Sequence, residues 1–153
     1  MMDRFDLTGK VAIVTGGGTG IGRGAALVLA EHGADVVLAA RRTEPLESTA
    51  TEIDALDRRA LTVPTDVTEP SACHQLVDTT LDQLGRVDIL VNNAGGAETK
   101  SLSKWTEEEW LQVLALNLGS VWHLSRAASK PMLAQGKGAI VNISSGASLL
   151  AMP

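Results

Sequence analysis

Short apolar runs alternate along the chain with longer stretches whose apolar residues recur at helical spacing. Val11 to Thr15, Val36 to Ala40, Ala60 to Val63, Val87 to Val91 and Ala139 to Ile143 are apolar runs bounded by glycine, proline or polar residues. Asp88 interrupts the fourth of them and Pro64 breaks the third. Runs of this length and composition predict buried strands. Between them, Gly20 to His32 predicts a helix with Ile21, Ala25 and Leu29 on one face and Gly33 as its cap. Leu46, Ala50 and Ile53 repeat at helical spacing after Thr43, a candidate N-cap. A third helix starts near Thr68-Glu69-Pro70, carries Cys73, Leu76 or Val77, and Leu81, and closes at Gly85. Gly96 to Trp105 reads as a polar loop. Thr106-Glu107-Glu108-Glu109 fits a capping box. It opens a long helix reaching about Ala134, with distortions expected near Gly119 and Pro131 and a stop at Gly136 and Gly138.

The order βαβαβαβαβ, with strands apolar throughout, predicts a parallel sheet covered on both faces. Right-handed crossovers then restrict the α/β fold to a few doubly wound layouts; the expected one is a Rossmann-type doubly wound parallel sheet with five strands in the order 3-2-1-4-5. At 153 residues and 44% hydrophobic content, residues 1–153 read as a single domain.

Composition narrows the function. A net charge of −5 with no basic block argues against a nucleic-acid partner. The single cysteine, Cys73, permits no intrachain disulfide and no cysteine-based zinc site, and His32, His74 and His123 lack ligand spacing, so no metal is expected. Nothing approaches the ~18 consecutive apolar residues of a membrane span. The charged N-terminus has no signal-peptide core, so the expectation is a cytoplasmic protein without a membrane partner. The chain contains no tyrosine.

The candidate chemistry starts at Thr15-Gly16-Gly17-Gly18-Thr19-Gly20-Ile21-Gly22, between the first strand and the first helix. Backbone N–H groups at a helix start have no internal partners, and the helix dipole is positive there. Glycines let a phosphate approach that backbone unobstructed. The spacing is neither G-x-G-x-x-G nor a P-loop.

This turn resembles the T-G-x-x-x-G-x-G motif of the short-chain dehydrogenase/reductase family. Asp66-Val67, Asn92-Asn93-Ala94-Gly95, Asn117 and Asn142-Ile143-Ser144-Ser145 follow in the family's order, so the resemblance runs from about Phe5 to Pro153. It implies a nicotinamide cofactor whose pyrophosphate lies along Gly16, Gly18, Thr19, Gly20 and Ile21. Asp66 and Val67 would meet the adenine, and Asn93, Ala94 and Gly95 would run beside the ribose. Ser145 matches the catalytic serine that holds the substrate oxygen, and Asn117 the asparagine that holds a water in the proton relay. Read by their own chemistry, Asp66 also suits a turn or helix cap, Asn117 a helix residue bonding its own turn, and Ser144 and Ser145 a strand end. The family is implied to act on small-molecule carbonyls and alcohols as homo-oligomers, dimers or tetramers.

The end of the second strand selects the cofactor. An NAD site places Asp or Glu there for the ribose 2′-hydroxyl. This chain has Ala39-Ala40-Arg41-Arg42, and arginine pairs with a 2′-phosphate that a carboxylate would repel. NADP(H) is therefore the predicted cofactor. NAD(H) stays open, because the turn from Gly16 to Gly22 carries no basic residue.

The family's proton-transfer motif, Tyr-x-x-x-Lys, would fall past Pro153. Lys100, Lys104, Lys130 and Lys137 lack the tyrosine partner. The favoured expectation is the cofactor-binding portion of a longer enzyme, incomplete against the family's seven strands and inactive alone. The alternative is a non-catalytic nucleotide-binding fragment or a regulatory Rossmann domain. Gly96 to Trp105 and Ser148 to Pro153 would border the substrate, while Trp105 and Trp110 are expected to serve packing.

Overall fold

A computed structural model describes residues 5–146. The strands are β1 (Val11–Thr15), β2 (Asp35–Ala40), β3 (Ala60–Pro64), β4 (Ile89–Asn92) and β5 (Ala139–Asn142). The helices are α1 (Gly20–Glu31), α2 (Thr43–Asp54), α3 (Pro70–Leu84), α4 (Glu107–Leu114) and α5 (Ser120–Ala134). All pairings are parallel, as the alternation of elements predicts, and the strand order is the expected β3-β2-β1-β4-β5.

Side chains of one strand alternate between two cores, as the pleat requires. Ile13, Val37 and Leu90 pack with Cys73, Leu76 and Val77 of α3 and with Leu124, Ala128 and Met132 of α5. Val14, Val36, Leu38 and Val91 pack on the other face with Ala26 and Ala30 of α1 and with Leu46 and Ile53 of α2. Burial on both faces is why these strands read as unbroken apolar runs.

Two helix faces differ from expectation. The buried stripe of α1 is Gly22, Ala26 and Ala30, whereas Ile21 is 68% exposed. Apolar residues fill most of this helix, so periodicity cannot choose between adjacent stripes. The approach of Gly22 to the end of β1 chooses the small ones. In α2 the N-cap is Arg42 rather than Thr43, and Thr49 joins Leu46 and Ile53 in the buried stripe. The Thr49 hydroxyl donates to the Pro45 carbonyl (3.0 Å), which satisfies it inside the core.

The capping box at Thr106 forms: Glu109 N–H donates to Thr106 Oγ1 (3.2 Å), and Thr106 N–H donates to Glu109 Oε2 (2.9 Å). The expected distortion near Gly119 is a π turn over Ala115–Gly119, while α5 continues through Pro131. Ile140 and Val141 of β5, at the sheet edge among the described residues, are 40% and 45% exposed.

Asp88 joins the starts of β1 and β4. Its side chain is 5% exposed and accepts from Val11 N–H (3.0 Å), Arg86 Nε (2.6 Å), Arg86 Nη2 (2.7 Å) and Lys10 Nζ (3.5 Å). Burial pushes this carboxyl upward. Hydrogen bonds from Arg86 and Val11 and the charges of Arg86 and Lys10 outweigh burial and hold it below its ordinary range. A depressed pKa stabilises the fold above the unfolded-state value, and that share is lost as pH falls through the folded value. Asp88→Ala, which strands Arg86 and Val11 N–H, should cost about 3 kcal/mol in urea unfolding at neutral pH. The gap to the parent should narrow toward about pH 3; a gap that is constant with pH would refute the assignment.

Candidate functional site

A groove of about 900 Å³ opens at the carboxyl ends of the strands. Gly16 and Thr19 line it from the glycine turn, Ala40, Arg41 and Arg42 from the end of β2, and Thr65, Asp66 and Val67 from the turn after β3. Ala94 and Gly95 line it after β4, and Leu111, Gln112, Ala115 and Leu116 line it from α4 and the π turn. Open parallel sheets place ligands at this edge.

The floor is a clasp between β1 and β4. Thr15 Oγ1 accepts from the backbone N–H of Asn93 and of Ala94, each at 3.0 Å, and donates to the Val91 carbonyl (3.3 Å). Asn93 Nδ2 donates to the Thr15 carbonyl (2.9 Å). This packing dictates two glycines. A Cβ on Gly16, whose φ is +66°, would stand 2.7 Å from Asn93 Nδ2, and one on Gly22 would stand 2.3 Å from the Gly16 carbonyl oxygen. Gly18 is needed for a different contact, since its Cβ would stand 2.9 Å from Pro45 at the start of α2. Gly20 has φ +55° and open space beside it. Thr19 occupies the N-cap of α1 without a side-chain cap bond, and the first turn carries no acidic residue. The helix start thus keeps its capacity for an anion. Gly18, Gly20, Ile21 and Asn93 shape the turn and are not among the residues lining the groove.

Asp66 takes the turn role that its own chemistry suggests and stands beside the groove. Its Oδ1 accepts from Thr68 N–H (3.0 Å) and Thr68 Oγ1 (2.7 Å) in a turn before α3. The hydroxyl and the backbone N–H of Thr68 hold its carboxyl below the ordinary range against a smaller effect of burial, and the charge of Arg41 adds to the lowering. Arg41 and Arg42 are exposed, and neither makes an ion pair among the described residues. Beneath Val67, the Cys73 thiol donates to the Val67 carbonyl (3.3 Å). Burial, then the charge of Asp66, pushes that thiol up to about 11, which suits a buttress rather than a nucleophile.

Asn117 bonds its own turn, as its chemistry suggests, and also reaches the loop after β4. From the π turn its Nδ2 donates to the Val113 carbonyl (2.9 Å) and to the Gly96 carbonyl (2.9 Å), while its Oδ1 accepts from Gly96 N–H (3.0 Å). A Cβ on Gly95 would stand 2.8 Å from that Oδ1. Asn117 therefore fixes the backbone that carries Gly95 along the groove.

Ser145 is exposed, follows β5, and does not line the groove. The strand before it is tied by Asn92, whose Nδ2 donates to Asn142 Oδ1 (2.9 Å) and Ser125 Oγ (3.2 Å). This link escaped the sequence, where Ser125 carries no signal. The segment Ser148 to Pro153 lies outside the described residues.

The loop from Gly96 to Trp105 is strapped to α4. Lys100 pairs with Glu98 (3.7 Å) and with Glu109, and its ammonium stands 4.9 Å from the Trp105 ring centre. Contrary to expectation, Trp110 is 55% exposed. Among the described residues no three His, Cys, Asp or Glu side chains cluster to hold a metal, and no helix is long and apolar enough to cross a membrane.

Gly22→Ala forces the Gly16 carbonyl or the Asn93 amide to move, and overpacking of this kind costs about 1–3 kcal/mol. Denaturant unfolding should show that loss, whereas Gly24→Ala, with nothing within 4 Å of the new methyl, should be neutral or stabilising.

Known proteins share this fold and much of this sequence. A family model described as short chain dehydrogenase matches residues 10–153. The 2-dehydro-3-deoxy-D-gluconate 5-dehydrogenase of Escherichia coli (strain K12) is 41% identical over 146 residues, which is 95% of this chain and 57% of that protein. A 7α-hydroxysteroid dehydrogenase solved with NADH and 7-oxo glycochenodeoxycholic acid superposes with a TM-score of 0.94 at 34% identity, covering 99% of this chain and 60% of its own. An NAD+-bound xylitol dehydrogenase gives a TM-score of 0.91 at 32% identity, covering 96% of this chain and 57% of its own. The chain thus spans somewhat more than half the length of these relatives, and it belongs to the short-chain dehydrogenase/reductase family.

Proposed function

We propose that this chain supplies the cofactor site of an NADP(H)-dependent oxidoreductase that interconverts a small-molecule ketone or aldehyde and an alcohol. The observation that carries the reading is the uncapped start of α1, which opens on the same groove as Arg41 and Arg42. The residues fit the group: glycines and a helix start without a side-chain cap for a pyrophosphate, and guanidinium groups that make no ion pair among the described residues for a 2′-phosphate. Gly16 and Thr19 would hold the pyrophosphate, with Gly18, Gly20 and Ile21 shaping its turn. Arg41 and Arg42 would hold the 2′-phosphate, Asp66 and Val67 the adenine edge, and Asn93, Ala94 and Gly95 the ribose. When bound, the nicotinamide supplies or accepts hydride.

Two solved relatives carry NAD+ or NADH. The choice of NADP(H) here rests on the end of β2, where Arg41 and Arg42 stand in place of a carboxylate. Ser145 would hold the substrate oxygen, and Asn117 would order the relay by fixing Gly96. With no tyrosine among its 153 residues, the chain lacks the proton donor implied by the resemblance, so it should bind cofactor without turnover. A homo-oligomer accompanies this reading, supported by Trp110, Leu111, Leu118 and Trp122, which expose 55–64% of their surface along α4, the π turn and α5.

Fluorescence titration should show NADPH binding tighter than NADH by about tenfold, the size of one charge-assisted hydrogen bond. Arg41→Ala should remove most of that preference. Tighter binding of NADH, or an unchanged preference in Arg41→Ala, would defeat the NADP(H) assignment. Turnover of any carbonyl substrate by the 153-residue chain alone would defeat the expected need for an external proton donor.

A further inference from the structure

The glycine turn is seated on the segment that carries Arg41 and Arg42, and three successive glycines make the fit. Gly16 N–H donates to the Ala39 carbonyl (2.7 Å). A Cβ on Gly17 would stand 2.8 Å from Leu38 Cδ2. A Cβ on Gly18 would stand 2.9 Å from Pro45 Cβ, 3.0 Å from the Pro45 carbonyl carbon and 3.1 Å from Leu46 N. The turn therefore meets the chain two residues before Arg41 and again three residues after Arg42.

The backbone between these contacts is tied as well. The Ala40 carbonyl accepts from Thr65 N–H (2.9 Å), and Arg42 is the N-cap of α2. Leu46, next to Pro45, is fully buried. The Thr49 hydroxyl donates to the Pro45 carbonyl (3.0 Å) and stands 3.5 Å from the Gly18 carbonyl oxygen. Farther along, Arg23 of α1 pairs with Glu52 of α2.

We propose that Gly18 is a positioning residue for cofactor choice: seated on Pro45, it sets the distance from the pyrophosphate turn to Arg41 and Arg42 without itself lining the groove. This rests on the reading of Arg41 and Arg42 as the 2′-phosphate site. NADP(H) must meet the helix start and the guanidinium groups at once, so its fit depends on their separation. NAD(H) lacks the second anchor and does not sense it. Groups already held at the right separation lose less freedom when the ligand arrives.

Two glycines of the turn separate this contact from damage to the turn itself. The φ of Gly18 is not left-handed, so an alanine there meets α2 rather than backbone strain, and the start of α2 must shift. Gly20 is the opposite case, with φ +55° and nothing within 4 Å, so an alanine there strains the turn and leaves α2 alone.

Fluorescence titration of the 153-residue chain with NADPH and with NADH tests this, with urea unfolding to establish that each variant is folded. Both cofactors share the pyrophosphate, so damage to the turn cancels in the ratio of their affinities. Gly18→Ala should lower the preference for NADPH from about tenfold to about threefold or less. Gly20→Ala should weaken both cofactors alike and keep the ratio. In a background of Arg41→Ala with Arg42→Ala, Gly18→Ala should change the ratio no further. An unchanged ratio in Gly18→Ala, an equal fall in Gly20→Ala, or a fall that persists without the arginines would overturn the proposal and leave the role of Arg41 standing. An unaltered preference in Arg41→Ala would overturn that role and the proposal with it. Should Gly18→Ala fail to fold, Thr49→Val carries the same test, because it keeps the buried shape and removes the hydroxyl between Pro45 and Gly18. The ratio should then fall and recover in Thr49→Ser; an unchanged ratio would overturn the proposal.

Discussion

The hydroxyl of Thr15 is the smallest group on which the whole site depends. It is buried at the end of β1 and satisfies two consecutive N–H groups where the chain leaves β4. Those amides have left the sheet ladder, and an unpaired buried amide is costly. The hydroxyl therefore fixes where Asn93 lies, and the Asn93 side chain then closes on the Thr15 carbonyl. With Asn93 in place, no Cβ fits at Gly16 or Gly22, so α1 starts hard against the sheet. The open helix start, the floor at Ala94 and Gly95, and the nearness of the β2 end all follow from that contact.

The sheet was legible because its central strands, β1, β2 and β4, are buried on both faces, which writes their pattern plainly into the chain. The capping box and the glycine stop at Gly85 were legible for a related reason, since the groups that satisfy each other are a few residues apart. The stripe of α1 was not, because Ile21, Ala25 and Leu29 offer as good an apolar face as Gly22, Ala26 and Ala30. Only the distance between helix and sheet separates the two. Asn117 and Asp66 had two plausible chemistries each in the sequence; in the fold Asn117 bonds both its own turn and Gly96, while Asp66 bonds Thr68 beside the groove. Contacts that cross the chain without a periodic signal stayed hidden: Gln135 beside Val87, Ser125 beside Asn92, and Asp88 under Val11.

The two ends of the sheet divide the polar work. At the carboxyl ends the chain leaves donors at the groove: the start of α1, which has no side-chain cap, and the guanidinium groups of Arg41 and Arg42. At the amino ends the Asp88 carboxylate accepts from Val11 N–H, Arg86 and Lys10 and holds β1 and β4 in step, and Ala139 extends that register to β5. The loops that line the groove can differ among relatives without disturbing strand register.

The π turn at Ala115–Gly119 has a further consequence, one of phase. Residues spaced by four on an α-helix advance past a full turn by about 40° per step. A straight rod would therefore carry a four-spaced stripe steadily round its axis. The stripe here runs Gln112, Leu116, Ser120, Leu124, Ala128 and Met132: the first two line the groove, and the last four are buried. A π turn needs more than four residues per revolution, so it winds the stripe back midway. One continuous helical path can then face a ligand groove at its start and a hydrophobic core at its end, with Asn117 seated at the point where the winding changes.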